Sequence, residues 1–392
     1  MIYLDNHSTT RVDPRVIATM SSMMEIDYAN AGSTTHLAGR EVALKVSQSI
    51  RSIASCLNLD PDLAPDELVM TSGATEANNL AIFGVCLHPR QKRRQVVSVV
   101  TEHRAVLDPI ERLEQQGFEV VLLPVWPQGH ELVGQIDLER ASQLITDKTA
   151  LVTVMHSNNE IGSFQPIQEL SAICHRVGAI LHTDATQTIG HESLDVSELG
   201  CDLMSFSAHK FYGPKGVGGL YVATRPSSIR LQAQILGGGQ QLNRRSGTID
   251  SVGVVGMAEA LRLAVKELPE ATDRDRNLRG RLWKKLQAIE GECFRLNGPA
   301  LIARHRLARN LNIEVEGIEG QTLMLLCEEL CMSSGSACTS AEPLPSHVLQ
   351  SIGLTADQAR CSIRFGVGRF TTELEIDQAT SMIAESLRSV TR

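Results

Sequence analysis

Along the first 250 positions, short apolar runs alternate with longer stretches in which apolar residues recur at helical spacing. IYLD reads as a short strand, with a turn through Asn6 to Thr10, and a helix is predicted from Pro14 to Met24. In 38–58, Val42, Val46, Ile50 and Ile53 mark one helical face. ELVMTSG reads as a strand entering a turn. VVSVV (96–100), FEVVLL (118–123), ALVTVM (150–155) and AILHTDA (179–185) are β-branched runs of strand length. AVLDPIERLEQQG and PIQELSAICHRVG supply helices between them. Strand, helix, strand in repetition predicts an α/β fold with a mostly parallel sheet covered on both faces. After about residue 250 the rhythm changes. A long helical stretch from Val254 to about Ile289 carries charges on one face. It is followed by a strand (RNLNIEVEG), a helix (GQTLMLLCEELC), a loop, a strand (CSIRFGVG) and a helix (EIDQATSMIAESL). That is α+β character and predicts a second, smaller domain.

Composition narrows the function classes. A chain of 392 residues has room for two cores. Its net charge of −8 gives no overall attraction to nucleic acid phosphates. The basic run Arg90, Lys92, Arg93, Arg94 reads as a solvated loop. The nine cysteines are scattered, without a CxxC pair. This fits a reducing, cytoplasmic setting rather than a disulfide framework, and no metal site is expected. The N-terminus lacks a signal-peptide pattern, and no apolar run approaches the roughly 20 residues that span a membrane.

Four segments carry candidate chemistry. In SFSAHKFYGPKGVGGLYV (205–222), Lys210 follows a strand and precedes a glycine-rich return. A sheltered lysine can expose a neutral amine for Schiff-base chemistry, although a structural lysine is the plainer reading of the residue alone. In LHTDATQT (181–188), Asp184 ends a strand, where open α/β sheets bind ligands. It could hold a pyridine nitrogen protonated, with Gln187 near the ring oxygen; it could equally be a helix cap. In TSGATEANNLAI (71–82) a small-residue turn opens a helix. Its N–H groups and Thr75 could cradle a phosphate, with Ser207 and His209 adding donors, or Ser72 or Thr75 could simply cap the helix. In TEHRAV (101–106), His103 at a strand end could stack on a ring and shuttle protons, or could be an ordinary polar residue. HSNNEIG (156–162) and NRRSGT (243–248) add polar groups. Together, in this order, the four match the needs of one pyridoxal 5′-phosphate (PLP): phosphate cradle, stacking group, nitrogen partner and Schiff-base lysine.

These segments resemble the NifS/IscS-like cysteine desulfurases of the fold-type I PLP superfamily. The resemblance runs from YLDNHSTTRVDPRV (3–16) to SIRFGVGRFTTELEID (362–377), and SSGSACTS is its most specific part. It implies a large PLP-binding domain over 15–255. Residues 1–14 and 256–392 form a small domain with a mobile loop, about 333–346, that carries Cys338. By motif, it implies that Lys210 holds the cofactor and moves the Cα proton, Asp184 pairs with the pyridinium and Gln187 meets the ring oxygen. His103 stacks and acts as acid/base. Ala74, Thr75, Ser207 and His209 hold the phosphate, with Thr248 reaching across from a second subunit of a homodimer. Asn159 lies at the cofactor edge, and Asn30 and Arg364 bind the substrate. The implied reaction converts L-cysteine to L-alanine and leaves the sulfur on Cys338 as a persulfide.

Three segments depart from the family pattern. The GGG(H/Q)ERGxRSGT loop reads GGGQQLNRRSGT (237–248), the asparagine–proline step near residue 30 reads NAGS, and LEP after the cysteine reads PLP (Pro343, Leu344, Pro345). The housekeeping members' scaffold-docking tail is not evident after SLRSVTR. The expected acceptor is an iron–sulfur scaffold or, since that tail is not evident, another protein such as a tRNA or DNA thiolation enzyme or a carrier protein, with no membrane or direct nucleic acid partner. The rival readings are a selenocysteine lyase or PLP β-lyase, and a non-catalytic scaffold that binds PLP.

Overall fold

The computed structural model describes residues 1–224, 229–291, 294–334 and 344–390. Cys338, central to the expected reaction, lies outside the described residues, as does Cys293. The strands in chain order are β1 Ile2–Tyr3, β2 Leu68–Thr71, β3 Gln95–Val99, β4 Glu119–Leu123, β5 Thr149–Thr153, β6 Ile180–Asp184, β7 Leu203–Ser207, β8 Gly218–Val222, β9 Phe294–Leu296, β10 Asn310–Val315, β11 Leu330–Cys331 and β12 Ser362–Gly366.

Seven strands form the main sheet, in the order β2-β8-β7-β6-β5-β3-β4. The pairs from β7 through β6, β5 and β3 to β4 are parallel, whereas β8 runs antiparallel to both β7 and β2. The expected mostly parallel sheet is present. Its antiparallel edge comes from the glycine-rich return after Lys210, whose tight turn leaves no room for a crossover helix. β3, β5 and β7 are buried along their whole length, so their apolar runs carry little alternation.

A second core gathers Ile2 and Leu4 with residues from Leu278 to Leu387. It packs the antiparallel sheet β12-β10-β9 against the helices Leu268–Leu286 and Glu373–Val390. β1 pairs in parallel with β11, which ties the first residues into this core. The single long helix expected from Val254 to Ile289 is two helices, Ser251–Lys266 and Leu268–Leu286. Pro269 sits in the first turn of the second, where its missing N–H costs nothing. The first packs on the helices Pro14–Glu25 and Leu37–Cys56 and buries residues up to Ala264 in the main core. The change of core therefore falls about residue 267, later than the 255/256 boundary expected from sequence. Among the described residues, no helix is long and apolar enough to cross a membrane.

Candidate active site

The C-terminal ends of β6 and β7 and the turns after β2 and β3 meet around a cavity of about 480 Å3. Its lining includes Ser72, Gly73, Ala74, Thr75, His103, Asn159, Asp184, Gln187, Ser207, His209 and Lys210. Nine of the sequence-predicted residues are thereby brought to one place. A second cavity opens beside it and shares His103, Asn159, Gln187 and Lys210, adding Arg364, Ser333 and residues 344–347. Arg364 therefore joins the site at the small-core side. Asn30 and Thr248 do not line either cavity. Both are exposed, and Asn30 Oδ1 accepts from the Gly32 N–H at 2.8 Å.

One end of the main cavity is a helix start. The helix Ala74–Cys86 begins after Gly73, and no side-chain cap engages its first N–H groups. Gly73 has φ +148, a conformation that L residues rarely adopt. The turn also crowds β8: a Cβ on Gly218 would stand 2.7 Å from the Gly73 Cα. Glu76, one turn in, accepts from the Ser72 N–H at 2.7 Å and from Arg245 Nε at 2.8 Å. Uncapped N–H groups beside Thr75, Ser207 and His209 make a ready anion cradle. Burial pushes the His209 imidazole down to about 4, and Lys210 and Lys215 add to this, so the ring is neutral near pH 7.

At the centre, Asp184 is 8% exposed. Its carboxylate accepts from Asn78 Nδ2 at 2.7 Å and from the Thr186 N–H at 2.9 Å. His103 caps the helix Arg104–Glu114 through Nδ1, which accepts from the Ala105 N–H at 3.0 Å. That leaves Nε2 as the nitrogen free to exchange a proton. Burial lowers the His103 pKa, and nearby Asp184 partly opposes the shift.

Lys210 Nζ donates to the carbonyls of His7 (2.7 Å) and Ser8 (2.8 Å). Burial, and then the charges of Arg364 and Arg309, bring its pKa from 10.5 to about 7. A substantial neutral fraction near physiological pH is what an amine needs to attack an aldehyde. Arg364 is aimed by three partners: Asp5 Oδ1 at 3.0 Å, Ser8 Oγ at 2.8 Å and the Asn159 carbonyl at 3.0 Å. Its Nε is buried with no hydrogen-bond partner among the described residues.

The fit of PLP can be judged from these groups. The cavity offers an uncapped helix start for a phosphate, a carboxylate for a ring nitrogen and a partly neutral lysine. Thr186 Oγ1 and Asn78 Oδ1, on two of the cavity-lining residues, lack partners among the described residues, as expected where a polar ligand is to be received. The residues present fit the cofactor.

Several site residues escaped the sequence reading. His7, Ser8 and Thr9 lay in a stretch read as a plain turn, yet they line one cavity or the other. Glu102, wholly buried beside His103, accepts from the Met155 N–H; burial and Asp184 raise its pKa well above the carboxylate range. Ser346 Oγ donates to Glu160 Oε2 at 2.5 Å, and His347 Nε2 to the Glu102 carbonyl at 2.9 Å. These contacts pin the C-terminal flank of the 333–346 loop. The altered loop also acquires a reason. Gln241 accepts from the Met70 N–H (2.6 Å) and donates to the Met70 carbonyl (2.9 Å), pairing the outer edge of β2. Gln241, Leu242 and Asn243 all take positive φ to make this grip.

Comparison with known proteins agrees with this geometry. The aminotransferase class-V family profile matches residues 2–379. Cysteine desulfurase IscS of Edwardsiella ictaluri (strain 93-146) is 43% identical over 389 residues, covering 98% of this chain and 92% of the relative. A solved NifS-like protein superimposes with a TM-score of 0.89 at 32% identity, covering 99% of both chains. A structure of SspA in complex with cysteine gives a TM-score of 0.79 at 30% identity, over 95% of this chain and 100% of that one. The chain belongs to the class-V aminotransferase family of PLP enzymes, within its NifS/IscS-like cysteine desulfurase group.

Proposed function

We propose that the protein takes sulfur from L-cysteine, releasing L-alanine, and carries it on Cys338 as a persulfide for transfer to an acceptor. The observation that carries this reading is the position of Lys210 between two adjoining cavities, one lined by Asp184 and the other by Arg364 and both flanks of the Cys338 segment. Ser333 pairs with Arg364 through both backbone groups, and 344–347 line the opposite rim. Four residues separate Ser333 from Cys338, and the five Cα–Cα steps between them span at most about 18 Å.

The residue roles follow the chemistry of the groups. PLP, when bound, supplies an electron sink for bonds at the amino acid's Cα and Cβ. Ala74, Thr75, Ser207 and His209 hold its phosphate, Asp184 keeps a proton on its ring nitrogen, and Gln187 and Asn159 touch its edge. Lys210 holds it covalently and moves the Cα proton; His103 exchanges a proton through Nε2. Arg364 orients the substrate carboxylate. The Cys338 thiolate forms an S–S bond as the substrate C–S bond breaks, and the electron pair stays with the carbon fragment. Cysteine and a thiol thus give alanine and a persulfide, with no external oxidant.

A homodimer is part of this proposal. Exposed Ile17, Met24, Ile26, Tyr28, Leu37 and Leu44 concentrate on the first two helices and the loop joining them, an apolar surface of the kind that subunits cover. Asn30 and Thr248 act once a second copy is in place. The acceptor is an iron–sulfur scaffold or a thiolation enzyme, in the cytoplasm.

Incubation with cysteine, with alanine and the mass of the Cys338 peptide measured together, tests the reading. Cys338→Ser is expected to keep the cofactor's colour and lose alanine production. Normal turnover by that variant would instead favour a lyase that releases sulfide directly.

A further inference from the structure

Beneath the cavity floor lies a charge that the reaction as described leaves unused. Arg309, just ahead of β10, is 1% exposed. Its Nη2 donates to Gln187 Oε1 at 3.1 Å, while Nε and Nη1 have no partner among the described residues. A buried guanidinium with idle donors is costly, and an apolar residue would serve stability as well or better. Its position suggests what it is for.

The Gln187 oxygen meets Arg309 on one side and His7 Nδ1, at 3.0 Å, on the other. An amide oxygen can only accept, so His7 carries its proton on Nδ1. That leaves His7 Nε2 facing the Asn310 amide nitrogen at 3.4 Å as an acceptor, which is consistent. Both lone pairs of the Gln187 oxygen are therefore engaged. Its Nε2 donates one hydrogen to the His7 carbonyl at 2.9 Å, the same carbonyl that receives Lys210 Nζ at 2.7 Å. The second hydrogen remains for the cavity. Without Arg309, the Gln187 amide could turn its oxygen toward the site and confront a ring oxygen acceptor with acceptor.

We propose that Arg309 is a positioning residue of the reaction: it locks the Gln187 amide with its N–H side toward the cofactor and sets a fixed positive charge behind Lys210. The inference rests on the functional reading above and deepens it. The field is consistent with this role, since Arg309 is among the charges that lower the pKa of Lys210, His7 and His191. The other charges facing Lys210 are Arg364 from β12, Asp184 from β6 and Asp5 after β1. Arg309 itself is faced by Asp275 from the helix Leu268–Leu286, by Tyr212, and by Arg364.

The test is an absorbance titration of the holoenzyme without substrate, following the colour change as the Lys210 nitrogen bound to the cofactor loses its proton. Removing a nearby cation favours the protonated form. Arg309→Gln keeps a donor but not the charge, and is expected to raise the midpoint by about one pH unit. Arg309→Lys keeps the charge and is expected to stay within about 0.3 unit of the parent. A parent-like midpoint in Arg309→Gln overturns the proposal. Should that variant not fold, Arg309→Met fills the buried space without a charge and is expected to raise the midpoint by a similar amount; a parent-like midpoint there overturns it too. A parent protein that takes up PLP without any lysine-linked colour would sink the functional reading instead.

Discussion

The wall of the cavity built by the main sheet and the wall built at the small core are assembled on different terms. On the sheet side, Asp184, His103, Ser207 and Lys210 stand at strand ends or one turn beyond, so a strand and the turn after it set where each side chain starts, although the Lys210 amine is then held by the His7 and Ser8 carbonyls. Facing the small core, Arg364, Ser346 and the Gln187 side chain, which reaches over from the turn after β6, are held by partners far away in sequence: Arg364 by Asp5, Gln187 by His7 and Arg309, Ser346 by Glu160. The first wall can tolerate a changed neighbour, because its backbone sets the geometry. The second is a network of buried charges and amides in which one lost partner leaves others unsatisfied.

Changes on the two sides should therefore fail differently. The largest effect is expected from Lys210→Ala, which removes the covalent link: the lysine-dependent colour and alanine formation should both disappear, in absorbance and amino acid analysis. Arg364→Lys keeps a charge but loses the planar fork. It should raise KM for cysteine about 10–100-fold while the colour persists; an unchanged KM would separate Arg364 from substrate binding. The pH dependence of cofactor reloading probes the boundary between the walls, because burial, and then charges from the small-core side, depress Lys210. With its pKa lowered from 10.5 to about 7, the neutral amine is scarce below pH 7 and predominates above it. Reloading of cofactor-free protein should thus rise about tenfold per pH unit below 7 and flatten above it. A rate still climbing toward pH 10 would contradict the depressed value. The smallest effect is expected from Gln241→Ala, which leaves the Met70 backbone groups unpaired at the sheet edge. It should cost about 1–2 kcal/mol in urea unfolding, with catalysis little changed.

The contrast also explains what the sequence made legible. Asp184, His103 and Lys210 were visible because each follows an apolar strand run, a signal confined to a few residues. The parallel core of the sheet followed from the same runs. His7, Arg309 and Glu102 were not visible. Their roles exist only through contacts across many residues: His7 meets Gln187 180 positions away, and nothing local distinguishes it from a turn histidine. The break between the helices at 267–268 was passed over because the apolar spacing continues through it, although Pro269 marked the place. The changed 237–248 loop read as a departure with no visible purpose. Its purpose lies in the edge of β2, which only the folded chain brings beside it.

The threading of the first ten residues has a consequence for how the enzyme matures. Asn6 bonds through its N–H and its side chain to the Gly366 carbonyl, and the carbonyls of His7 and Ser8 hold Lys210. A nascent chain emerging from the ribosome can build its sheet early, but this seam must wait until β12 has been synthesised. Vitamin capture by such a chain belongs to the finish of translation, and a growing polypeptide stalled before that point would hold its lysine in an unfinished pocket.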